Sequence, residues 1–198
     1  MKTNIIITSL LLYSMLGFGQ EQEDLYVLET DSTWTKELFT FPISFAQGID
    51  YKGIEDARFP EGWNAIESPD FWSYVFAWHI NLNTEPTTAT LEANLQTYFD
   101  GLMGIDIKRK QNKELQNTMA LFIKNENVNG ISEYLGKVKT WDAFFTKKSM
   151  SLNVTVNIHY YEQQEKAIIL FRFSPKPFDH DVWLKLRAVK INEAICED

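Results

Sequence analysis

The sequence predicts an α+β fold: a mostly antiparallel β-sheet with helices near 88–103 and 180–191 packed on it. Three observations point there. Residues 154–160 alternate apolar with polar side chains, and 167–173 return as an apolar run after the polar turn Glu162-Gln163-Gln164-Glu165-Lys166, as in an antiparallel hairpin. Residues 88–103 carry an apolar stripe at helical spacing. Strands precede a helix in each half of the chain, which suits helices laid against one sheet.

Residues 1–19 have the pattern of a secretory signal. Lys2 is followed by Ile5, Ile6, Ile7 and Leu10, Leu11, Leu12, with Gly17 and Gly19 at the end. This ending before Gln20 resembles bacterial export signals. A bilayer span needs about 20 apolar residues, and the acidic Glu21, Glu23 and Asp24 follow where a basic flank would stand. The expected mature product is 20–198, without a transmembrane segment, in the periplasm or outside the cell. Cys196 is the sole cysteine, so no intrachain disulfide is expected.

In the mature chain, Tyr26, Val27 and Leu28 suggest a short strand. Phe39, Phe41, Ile43 and Phe45 share one parity, which predicts a half-buried strand over 39–45, placed at an edge by Pro42. Residues 47–70, punctuated by glycine and proline, read as a loop-rich stretch, long enough to be either a functional loop or one interrupted by short elements. In 71–82 both parities are heavy with rings, which predicts a central strand, with a helix after the Ser68-Pro69 start signal as the alternative. Leu91, Leu95, Tyr98, Phe99, Leu102 and Met103 form one helical stripe, and Gly101 and Gly104 sit where helices commonly end. Strands are expected over 119–123 and 135–141, before the hairpin. Asp179 or Asp181 can cap a last helix whose face is Val182, Trp183, Leu186 and Val189, with the stem of Lys190 along its margin. The strands-then-helix order divides 20–198 into halves, 20–104 and 105–198. Similarity between them is poor, so one α+β domain is the expectation and a duplication the alternative.

Lys and Arg total 19 against 27 Asp and Glu. Residues 20–100 hold 15 acidic and 3 basic side chains, and 101–198 hold 12 and 15. The densest basic cluster, Lys108, Arg109, Lys110 and Lys113, lacks neighbouring aromatics and reads as a solvated face. No nucleic-acid partner is expected.

No short catalytic or phosphate-binding motif is present. His79, His159 and His180 lack ligand spacing, so neither metal nor cofactor is expected. The richest chemical stretch is 55–63. Glu55, Asp56, Arg58, Glu61 and Trp63 stand out there as candidate ligand-binding residues, beside Phe59. Carboxylates with exposed rings make a surface for a glycan or peptide, and paired carboxyls can serve as acid and base in a hydrolase. The plain structural reading is a loop pinned by Phe59 and Trp63, with Glu55 or Asp56 pairing Arg58. The expected function is a non-catalytic binding domain of the cell envelope with a glycan, peptide or envelope protein as partner. The alternatives are a hydrolase using carboxylates in 55–61 and a structural or assembly protein of the envelope.

Overall fold

A computed structural model describes residues 26–109, 115–125 and 130–195. The expected signal 1–19, Lys110, Lys113 and Cys196 lie outside the described residues. In chain order the elements are β1 (Leu28–Glu29), β2 (Thr35–Thr40), β3 (Gly53–Phe59), β4 (Tyr74–Asn81), α1 (Thr88–Met103), α2 (Ile105–Arg109), β5 (Met119–Lys124), β6 (Ser132–Trp141), β7 (Ser149–Tyr161), β8 (Lys166–Ser174), α3 (Val182–Ala188) and β9 (Lys190–Ile191).

Seven strands form one antiparallel sheet in the order β2-β3-β4-β8-β7-β6-β5. Its central pair, β4 and β8, is buried on both faces, which explains why their sequences lack a polar parity. Phe76, Trp78, Phe171 and Phe173 join Leu91, Leu95, Tyr98 and Phe99 of α1 in the larger core. Val75, Ala77, Ile168 and Leu170 point to the opposite face and pack with Val182, Trp183 and Leu186 of α3. The result is the α+β layering expected of the sequence.

The stripe on α1 forms where its spacing requires. Thr87 accepts from the Thr90 amide at the N-terminus, and Gly104 closes the C-terminus in the left-handed conformation at φ 61°. Gly101 lies inside the helix for a different reason. A Cβ there would stand 1.7 Å from the Phe45 carbonyl oxygen, so a side chain at this position cannot coexist with the observed packing. The helix also covers the open edge of the sheet: Glu92 accepts from the Phe122 amide and Asp100 from the Thr118 amide.

Three expectations need correction. The edge strand is Thr35–Thr40, which takes in only Phe39 and Thr40 of the expected 39–45: after the cis Phe41–Pro42 peptide the chain turns inward. The Ala46 amide donates to Ile43 and the Ile49 amide to Ala46, so a three-residue spacing buries Ile43, Ala46 and Ile49. The stretch 47–70 is interrupted, with β3 occupying its middle. Its charges suggested exposure, yet Glu55, Asp56 and Arg58 are fully buried, each with a polar partner. Finally, α3 stops at Ala188. Val189 is extended, and Lys190 lies exposed in β9, where pairing with β1 replaces helical hydrogen bonds. At its start Asp181 makes no side-chain cap, and His180 Nδ1 instead accepts from the Val182 amide.

Candidate functional site

Alternation along β3 separates the charged residues singled out in the sequence. Asp56 and Arg58 lie on the α3 side. Asp56 Oδ2 accepts from the Leu28 amide at 2.9 Å and from Arg58 Nη2 at 2.7 Å. The same Nη2 donates to the Leu28 carbonyl at 2.9 Å, and the guanidinium stacks 4.6 Å from the Tyr26 ring centroid. Burial pushes the Asp56 carboxyl up, against the Leu28 amide and the Arg58 charge, which pull it down. Together the two residues strap β1 to the sheet. Glu61 is exposed elsewhere, beside a depression that also borders Asp31, Trp34 and Lys185.

Glu55 points to the α1 side, and Trp63 meets it at the same cavity. This cavity encloses about 480 Å³. Its walls come from separate parts of the chain: Phe39 on β2, Phe59 on β3, Tyr98 and Leu102 on α1, and Phe144 and Phe145 after β6. Glu55 Oε2 accepts from Trp78 Nε1 at 2.6 Å, and Oε1 accepts from the Tyr98 hydroxyl at 2.8 Å. Burial raises its pKa to about 7, although both hydrogen bonds act the other way and Glu37 and Asp56 add to the rise.

Two donors on residues that line this cavity have no partner among the described residues. They are Trp72 Nε1 and the Tyr74 hydroxyl, both buried in the cavity lining. Trp72 is held in an unusual way. Its backbone takes φ 54°, a left-handed value disfavoured for a bulky side chain, while its amide donates to the Trp63 carbonyl at 2.8 Å. Trp63 in turn meets Phe145 edge-on at 5.8 Å and stacks obliquely on Phe59 at 4.6 Å.

The outer rim is built by Asp142. Its Oδ1 accepts from the Phe144 and Phe145 amides at 3.0 Å each, and Oδ2 accepts from the Thr146 amide and hydroxyl at 2.7 Å each. Burial alone would raise this carboxyl, but the donors outweigh it and hold its pKa below the usual range. Asp142→Ala is therefore expected to lower stability by about 1–3 kcal/mol near neutral pH, measured by urea unfolding. Because the folded pKa is depressed, the wild-type advantage should persist above the unfolded pKa and vanish as pH falls through the folded one.

Chemically, the cavity offers apolar ring faces, the exposed Glu37 carboxylate, the buried Glu55 carboxyl and, within its wall, two donors without a partner among the described residues. A paired-acid mechanism needs two carboxyls about 5–9.5 Å apart across one substrate. Of the three acids singled out in 55–61 only Glu55 lines this cavity, since Asp56 faces the opposite side of the sheet and Glu61 borders another depression; the second carboxylate at the cavity is Glu37. Among the described residues, no group of three His, Cys, Asp or Glu side chains could hold a metal ion. No family model, curated protein or solved structure matches the chain.

The sequence reading missed Trp72, Tyr74, Tyr98 and Asp142 as site residues. Polar tips on rings in otherwise apolar runs were the available signal at Tyr74 and Tyr98. Asp142, followed by two phenylalanines and Thr146, has the pattern of a side-chain-capped turn.

Proposed function

We propose that the chain is an exported, non-catalytic domain of the cell envelope that binds a small, mostly apolar molecule in the cavity above Glu55. The observation that carries this reading is the pair of buried donors without a partner among the described residues, Trp72 Nε1 and the Tyr74 hydroxyl, in a wall made mostly of rings. A buried donor left unpaired is destabilising by roughly 1–3 kcal/mol. A ligand oxygen accepting from either group would remove that penalty. The cavity volume of about 480 Å³ suits a small molecule. The strained backbone at Trp72 is a further cost of the kind found at binding sites. The signal-like pattern of 1–19 supports export.

The test is a binding screen of residues 20–198 against small apolar and aromatic compounds carrying one oxygen acceptor, read by thermal shift and calorimetry. A hit is expected, and Trp63→Ala should weaken it at least about tenfold while Glu61→Ala leaves it unchanged. A hit that survives both Trp63→Ala and Phe145→Ala would place binding elsewhere and overturn the reading.

A further inference from the structure

We propose that the ligand of this cavity is an organic cation, a small molecule bearing an alkylated ammonium group. The inference rests on the reading of the cavity as a ligand site and adds the charge and substitution of what enters it.

The sign of the charge follows from the lining. Glu37 stands exposed at the mouth and Glu55 lies buried at the floor, while among the described residues no Lys, Arg or His contributes to the wall. The cation nearest in sequence on the rim turn, Lys147, donates instead to the Ala143 and Phe144 carbonyls. An anionic ligand would bring like charge against Glu55 in a poorly solvated space. A cation gains from both carboxylates and from the negative faces of the surrounding rings.

Substitution at nitrogen follows from hydrogen-bond capacity. A primary ammonium carries three N–H donors and needs acceptors for them. Glu55 is fully buried with each oxygen already accepting, from Trp78 and Tyr98, and Trp72 Nε1 can only donate. Inside the mouth, where Glu37 stands, the Tyr74 hydroxyl is therefore the one unpartnered side-chain group among the described residues of the wall that can accept. An alkylated nitrogen asks little of that wall and presents methyl or methylene groups to it. The free donors at Trp72 and Tyr74 then suit an oxygen on the same molecule.

The test compares two probes by calorimetry on residues 20–198. One is the benzyl analogue of choline, and the other is its uncharged isostere with a quaternary carbon in place of nitrogen. The cation should bind about tenfold or more tightly than the isostere. Glu55→Gln should weaken the cation about tenfold and leave the isostere within about twofold. Glu37→Gln, at the exposed mouth, supplies the same comparison at smaller amplitude, about twofold, should Glu55→Gln fail to fold. Equal or tighter binding of the isostere overturns the cation assignment and leaves the cavity standing as a site. Binding of neither probe, alongside hits from the neutral screen, has the same meaning. Failure of both probes and of the whole screen removes the cavity reading and the cation with it.

Discussion

Asp56→Ala is expected to destabilise the protein by about 3–5 kcal/mol, the largest single effect among the charged residues of β3. Removal of this carboxylate leaves the Arg58 guanidinium buried with no counter-charge and takes the side-chain acceptor from the Leu28 amide. The loss should be measured by urea unfolding of residues 20–198. Replacing both partners, with Asp56→Leu and Arg58→Met together, should recover a large part of it, because two apolar side chains leave no unpaired charge behind. A cost below about 1 kcal/mol for the single change would mean that the pair does not strap β1 as described.

Glu55→Gln is expected to act in the opposite direction. The folded carboxyl has its pKa raised from 4.5 to about 7, so between these values the folded protein keeps a proton that the unfolded chain has released. Stability of the wild type should therefore fall as pH rises through that window and level off above it. At about 1.4 kcal/mol per pH unit, the total is about 3 kcal/mol. The groups facing Glu55 do not mask this behaviour: Tyr98 on α1 and Tyr74 on β4 have their pKa values pushed well above 10 by burial, and Trp78 does not titrate. Glu37 on β2 and Asp56 beside it contribute repulsion of the same sign. Glutamine cannot ionise, so the variant should be more stable than wild type at pH 8 and similar near pH 4. Unfolding curves at several pH values check this, and parallel profiles for the two proteins would contradict the buried, raised carboxyl. A side chain whose removal strengthens the fold but weakens ligand binding is the signature of stability given up for function.

Much of the fold was legible because the elements concerned follow one rule at a time. Helix α1 has a single apolar face and a cap at each end, and its bounds match the sequence expectation. The β7–β8 hairpin is similarly plain, with its polar turn at 162–165. Strand β3 was hidden because three charged residues sit inside it, and their burial depends on partners far away in sequence. Leu28 lies 28 positions from Asp56, and Tyr98 lies 43 from Glu55. No local pattern reports such pairings. The site was half legible for the same reason. Glu55 and Trp63 converge on one cavity, but strand alternation sends Asp56 and Arg58 through the sheet to the other side. The remaining wall arrives from 72–74, 98–102 and 144–145, which only the assembled sheet and helix bring together.

The most direct test of the cavity as a ligand site is an NMR titration of nitrogen-labelled 20–198 with the best compound from either screen. The Trp63 and Trp72 indole signals and the Phe144 and Phe145 amides should shift together and saturate at one affinity, with Glu61 and the β1–β9 pair undisturbed. Shifts concentrated around Glu61 or β1, with both indoles unmoved, would contradict it.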